Sequence, residues 1–330
     1  MVKKYKFLTI LVVVCAVRVL LSCSDGGCEE NPDQNKKGAF ESLRQKISLQ
    51  ARKHLPSPQS ELLLGMTIGL DELYKVPTFK KALRDTGTIH VVVVSGFNIS
   101  LVFGLVIKLV GSRYKLRNLL FAQAVTLFYS LLSGFDPPVV RSWVMGSIAA
   151  WGKYYGRTIN TIQLLIFSGT IMILVNPSYL FSLSFQLSFF ATVGLVLSSD
   201  IVSKLPKMLL LEDFYTTVAA QIFVLPLLSY SFGTVGVIGP LVNTLILWTV
   251  SFSTVLGGLF LLLAGINGAI SLVALLPLYA LLTFFVVVVR FFGSFPLSFI
   301  RYEITLTGVV LYYIVIWVLY LRIKRKHNPL

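Results

Sequence analysis

Long apolar runs separated by short polar segments follow one another along most of the chain. Runs near 6–22, 89–111, 117–133, 139–153, 159–175, 183–199, 213–231, 239–263, 266–289 and 304–322 predict about ten transmembrane helices. The test applied is physical: in hydrocarbon every backbone amide must pair within its own segment, and a core about 30 Å thick takes about 20 mostly apolar residues. The predicted fold class is therefore an all-α polytopic membrane protein, with extracellular amphipathic helices added by the one long polar stretch.

That stretch is 23–88, which holds ten Lys or Arg against nine Asp or Glu. It opens with a turn-rich linker, SDGGCEENPDQNKKG. From Phe40 an apolar stripe of Phe40, Leu43, Ile47 and Ala51 follows helical spacing, with Arg44, Lys46, Arg52 and Lys53 opposite. Such a helix suits the membrane interface or the outer face of a bundle equally well. A second polar helix is expected over Phe79–Asp85. The chain thus divides into a first span (1–22), an extracellular linker with amphipathic helices (23–88), a transmembrane domain (89–322) and a basic tail (323–330).

Composition agrees with this division: 55% of residues are hydrophobic and 13% charged, which excludes an ordinary soluble domain of 330 residues. The formal net charge of +15 suggests nucleic acid until it is set against the topology. With a cytoplasmic N-terminus, the inner segments hold Lys3, Lys4, Lys6, Arg113, Lys115, Arg117, Lys153, Arg157, Lys204, Lys207, Arg322, Lys324, Arg325 and Lys326. The short outer loops hold Arg141, Arg290 and Arg301. Basic residues favour the cytoplasmic side, so the excess charge is largely topological and both termini are expected in the cytoplasm, in the cell membrane.

Cys23 and Cys28 follow the first span on the expected outer side, where they can form a disulfide or remain two free thiols. The first segment also has the outline of a lipoprotein signal ending at Cys23, against which Arg18 within its apolar run argues.

All fourteen carboxylates fall in 23–88 or at expected loops and helix ends, the latter being Asp136, Asp200, Glu212, Asp213 and Glu303. Ion-coupled transporters usually keep a carboxylate within the membrane, so the expectation of none disfavours that class. A conduit for a polyanion would instead present neutral donors, occasional cations and aromatic faces.

Three ordered blocks narrow the field. The first is LLLGMTIGLDELYKVPTFKKALRDTGTIHVVVVSGFNISL, with Thr86, Gly87, His90, Ser95 and Gly96; the second is SGFDPPVVRSWVM, with Gly134, Pro138, Arg141 and Met145. The third is NPSYLFSLSFQLSFFATVGL, with Asn176, Pro177, Phe185, Gln186, Leu187 and Ser188. In order and spacing these blocks resemble the ComEC competence family, over roughly residues 60–320. The resemblance implies a bundle through which one strand of DNA crosses the cytoplasmic membrane during natural transformation. This chain carries Asn98 where the family often has a second His, and Asn243 is followed by Trp248 where a helix-breaking Pro is common. Family members often add a soluble OB-like domain and a metallo-β-lactamase-like domain. Neither domain is expected within these 330 residues, and three His with no HxHxDH-type cluster give no expectation of that metal site in them.

If 89–111 is one continuous helix, taking His90 as zero places Gly87 at about 60°, Asn98 at about 80°, Ser95 at about 140° and Lys108 back at zero. That arc can line a conduit, or it can serve interhelical hydrogen bonding, with Gly87 and Gly96 allowing close approach. Asp136 before Pro137 and Pro138 reads as a helix start, which puts Arg141 one turn inside the outer boundary, free to meet phosphates or to pair with Asp136. Gln186, Gln221 beside the helix-kinking Pro226, and Asn243 are further candidates for the path, or for structural hydrogen bonds.

No catalytic residue, metal or cofactor is expected: a serine hydrolase built on Ser95 would find His90 about 140° away on the same helix, and there is no GxxxxGKS-type loop. Single-stranded DNA and the lipid bilayer are the expected partners. An extracellular DNA receptor, a cytosolic motor or single-strand-binding protein, and further copies of the chain complete the list. A secondary permease or flippase for another anionic solute, and a degenerate competence remnant, are the alternatives.

Overall fold

The computed structural model describes residues 40–111, 115–206, 209–266, 268–295 and 299–327. The first expected span, Arg18, Cys23 and Cys28 lie outside them. The described residues form helices α1 (Glu41–His54), α2 (Gln59–Ile68), α3 (Pro77–Asp85), α4 (Gly96–Val110), α5 (Leu116–Leu132) and α6 (Pro137–Tyr154). These are followed by α7 (Thr161–Val175), α8 (Leu183–Val202), α9 (Leu209–Phe232), α10 (Gly239–Ile266), α11 (Gly268–Gly293) and α12 (Leu306–His327). A short antiparallel ribbon pairs β1 (Thr234–Gly236) with β2 (Phe299–Arg301).

Each expected span after residue 88 coincides with one of the helices α4 to α12. Five segments are long and apolar enough to cross a membrane: Ile89–Val110, Leu183–Val202, Leu211–Phe232, Gly239–Ala264 and Leu272–Gly293. Leu116–Leu132, Thr161–Val175 and Leu306–Leu319 are apolar but shorter. The fold is an all-α membrane bundle.

The largest core is built where the long hairpin of α10 and α11 meets α2 and α3, around Leu62, Leu63, Leu64, Phe79, Leu83, Phe260, Leu278 and Phe285. α1 packs on the bundle: Ala51 is fully buried, and the His54 ring stands edge-on to Phe260 with centroids 5.8 Å apart. Arg52 and Lys75 both pair with Glu72, which ties α1 to the loop after α2. The second polar helix forms as expected, opened by Pro77 and burying Phe79 and Leu83.

α2 is the departure from the sequence reading. All of its residues are buried, Glu61 included at 5% exposure. The helix lies well inside the spans of its neighbours. Gln59 donates to the Thr283 hydroxyl of α11 at 3.2 Å, and a Cβ on Gly257 of α10 would collide with Leu63. Glu61, which the sequence reading counted with the acids of the extracellular stretch, is thus enclosed by protein. The cause is tertiary, because a ten-residue helix too short to span alone is enclosed by the α10–α11 hairpin.

A second correction concerns 89–111. Ile89–Val91 is a single 3-10 turn, Ser95 is extended (φ −99°, ψ 166°) and α4 starts only at Gly96. The angles expected for a continuous helix from His90 therefore do not apply. His90 is accessible beside the Gly87 carbonyl, Asn98 is buried and Lys108 is exposed near the far end of α4.

Candidate functional site

The loops before α4, α6, α8, α10 and α12 gather at one end of the bundle. β1 pairs with β2, Gly236 of that ribbon abuts Gly87, and the turn at Ser133 abuts Gly69. The other end carries Lys108, Lys115, Arg117, Lys153, Arg157 and Lys204, all exposed.

At the loop end the three sequence blocks come together on Arg141. Its Nε donates to Ser188 Oγ of α8 at 2.7 Å, one of its terminal nitrogens reaches Met145 Sδ at 3.5 Å, and the guanidinium lies 5.9 Å from the Phe189 ring centroid. From the first block comes Gly96. A Cβ there would stand 3.4 Å from an Arg141 nitrogen, 2.8 Å from Ser142 Cβ and within the Ser142 hydroxyl, so glycine lets α4 and α6 touch. Asp136 sits at the start of α6 as expected, with Pro137 and Pro138 in the first turn, but it does not pair with Arg141. Among the described residues no carboxylate lies within ion-pairing distance of Arg141. The guanidinium is held by a hydroxyl, a thioether and a ring, none of which neutralises it. The first turn of α4, with its outward amides, adds the positive end of a helix dipole beside Gly96.

An aromatic series leads away from this cation. Phe185 and Phe189 lie 4.3 Å apart by centroid, and Tyr179 stacks on Phe185 at 6.4 Å with planes 7° apart. Burial and the nearby charge of Asp136 push the Tyr179 hydroxyl above its usual pKa. Asn176 holds the preceding turn by accepting from the Ser178 amide, and Pro177 opens that turn. Gln186 donates to the Leu180 carbonyl at 3.0 Å, fastening the same turn to α8.

His90 belongs to a neighbouring cluster. Gly87 (φ +69°) brings the backbone against Gly236, and Gln221 donates to the Gly236 carbonyl at 2.8 Å. Thr86 and Thr88 are buried and share a hydrogen bond of 2.8 Å between their hydroxyls. Gln221 is therefore a strut for the ribbon.

Asn98 and Asn243 are enclosed by protein. Asn98 is 1% exposed and donates to the Met66 carbonyl at 2.9 Å; the Tyr129 hydroxyl comes near its amide without reaching hydrogen-bond geometry. Asn243 is 3% exposed in α10, which runs unbroken past Trp248. Asn98 thus ties α4 to α2 and Asn243 is buried in α10, while His90 is exposed and Ser95 and Arg141 are partly buried.

Sequence reasoning missed Arg44, Ser142 and Phe189. Arg44 donates to the carbonyls of Ile68 and Gly69 at 3.0 and 3.5 Å, closing the C-terminus of α2, and its guanidinium lies against Gly134 (φ +95°). The only signal for it was its place on the polar face of α1.

Comparisons with known proteins agree with the blocks. ComE operon protein 3 of Bacillus subtilis (strain 168) is 28% identical over 216 residues, 64% of this chain and 27% of that protein. An uncharacterized protein of Aquifex aeolicus (strain VF5) is 32% identical over 118 residues, 36% of this chain and 28% of its own length. The uncharacterized protein YcaI of Escherichia coli (strain K12) is 29% identical over 153 residues, 43% of this chain and 20% of its own length. The chain thus spans less than a third of each of these relatives. No solved structure matches. The family model described as competence protein matches residues 66–326, which takes in the second and third blocks whole and the first from Met66 onward, and the chain belongs to that family.

Proposed function

We propose that this chain forms the membrane core of a channel that passes single-stranded DNA across the cytoplasmic membrane during natural transformation. The observation that carries the reading is Arg141, set one turn inside the loop end where three sequence blocks meet, with no carboxylate among the described residues within ion-pairing distance. An unneutralised guanidinium beside a helix N-terminus suits a passing phosphate, and exposed His90 can offer a neutral donor nearby. The basic asymmetry of the two ends supports an external loop end and cytoplasmic termini. In this reading an extracellular receptor delivers DNA, a cytosolic motor or single-strand-binding protein receives it, and the chain itself performs no chemistry on the strand.

A secondary permease for another anionic solute is the second reading. Glu61 favours it, since an enclosed carboxylate is what ion-coupled transporters use.

Uptake of labelled DNA by cells with and without the gene tests the proposal. Cytoplasmic label should disappear with the gene while surface binding persists. Arg141→Glu should do the same at normal membrane level, and His90→Ala should lower uptake. Unchanged uptake in the deletion overturns the channel and turns attention to the permease.

A further inference from the structure

α6 carries Arg141 near its start at the loop end, and its 18 residues run about 27 Å to the opposite end of the bundle. There the helix closes on three aromatic rings. Trp151 and Tyr155 stack with centroids 6.1 Å apart and planes 24° apart. Tyr154 stands edge-on to both, 5.8 Å from Trp151 and 5.2 Å from Tyr155. The closure that sets them is local. The amides of Tyr155, Gly156 and Arg157 donate to the carbonyls of Trp151, Lys153 and Gly152, and Gly156 takes the left-handed conformation (φ +69°) that ends such a helix. A Cβ on Gly152 would stand 2.8 Å from the terminal carbon of Ile159, so glycine there lets the chain fold back over the last turn. Tyr155 is left 69% exposed, and a Cβ on Gly156 would meet nothing within 4 Å.

Two cations flank the rings. Lys153 precedes Tyr154 and Arg157 follows Gly156; both are exposed, and among the described residues neither lies within ion-pairing distance of a carboxylate. The sequence from 137 to 199 contains no Asp or Glu. Cations hold phosphates whatever the sequence of the strand, and every base presents a face that an exposed ring can cover. A membrane anchor uses Trp or Tyr for its apolar body and polar tip. A stacked pair closed by a third ring is instead a face-to-face assembly, and its place on the helix of Arg141 puts both ends of the candidate path on one element.

We propose, building on the channel reading above, that Trp151, Lys153, Tyr155 and Arg157 form a second site for single-stranded DNA. It is an exit platform, where a base stacks on Tyr155 and the two cations hold the neighbouring phosphates of a strand that has passed Arg141. No covalent bond changes.

In the test, purified full chain in phosphatidylcholine nanodiscs is titrated with fluorescent oligothymidylate and with an abasic oligomer of equal length and charge. Wild-type protein should bind the oligothymidylate about tenfold more tightly, and Tyr155→Ala should lose that preference while Tyr155→Phe keeps it. Lys153→Gln and Arg157→Gln should each weaken binding of both oligomers and lessen the slope of log affinity against log salt by about 0.7. Photocrosslinks from an iodouracil oligomer should fall on Trp151 or Tyr155. Equal affinity for the two oligomers, a preference that survives Tyr155→Ala, or crosslinks only elsewhere in the chain overturns the platform. Variants that change only the binding of phosphatidylglycerol, with no preference for bases in the wild type, identify a membrane anchor and overturn it too. If Tyr155→Ala does not accumulate, the wild-type preference and the crosslinks decide. DNA uptake that persists without the gene would overturn the channel reading instead, and the binding comparison would still decide the platform.

Discussion

The Tyr312 hydroxyl of α12 donates to the carbonyl of Ile222 in α9 at 3.0 Å. That carbonyl is the one whose helical partner would be the amide of residue 226, and Pro226 has no amide hydrogen. Tyr313 donates in the same way to the Phe223 carbonyl at 2.7 Å, and its ring stacks on Phe190 of α8 at 4.8 Å. Two adjacent tyrosines thus fasten the last helix, most of whose surface is exposed, to the kink of its neighbour.

Tyr312→Phe should therefore lower stability by about 0.5–1.5 kcal/mol, because it removes a donor from an otherwise orphaned carbonyl without opening a cavity. Thermal unfolding in detergent checks this, and Tyr302→Phe should show no comparable loss, since Tyr302 is 63% exposed.

Gly96→Ala should separate α4 from α6 and lower stability by about 1–3 kcal/mol, since the added methyl meets Ser142 Cβ at 2.8 Å and not only its rotatable hydroxyl. Ser142→Gly in the same chain should restore part of both stability and uptake. Independent, additive losses would show that the two residues do not share this contact.

Gly236→Ala strikes backbone, since a Cβ there would stand 2.8 Å from both the nitrogen and Cα of Gly87. The ribbon and the His90 turn must move apart. A thiol placed by His90→Cys should then react faster with a polar reagent than it does with Gly236 intact.

Arg44→Met keeps much of the apolar stem but leaves the carbonyls of Ile68 and Gly69 without their charged donor. A loss of about 1–3 kcal/mol is expected. Because α2 joins the two sides of the site, uptake should fall further than the level of protein in the membrane, as measured by quantitative blotting beside the uptake assay.

What could be read along the chain was whatever depends on local pattern. Apolar runs of spanning length located every helix from α4 to α12 to within a few residues, except that the start of α4 was placed too early. Asp136, Pro137 and Pro138 marked the start of α6, and the order of the three blocks marked the family. These follow from backbone satisfaction in hydrocarbon and from capping, both of which act over a few residues.

Distance in sequence hid the rest. Periodicity could not show that α2 is enclosed, because all of its faces meet protein and its length is too short to signal a span; Glu61 was counted only as one of the acids of 23–88. Nor did it show that the helix at His90 breaks: Ser95 is extended, and α4 starts at Gly96, packed against Ser142, 46 positions away in the numbering of the chain. Packing alone decided which polar residues are enclosed as ties: Asn98 and Gln221 donate to the backbone carbonyls of Met66 and Gly236. The sequence alone determined a helical membrane bundle of the competence type; the tertiary structure decided where its charges stand, because burial and pairing belong to the neighbours that folding brings together.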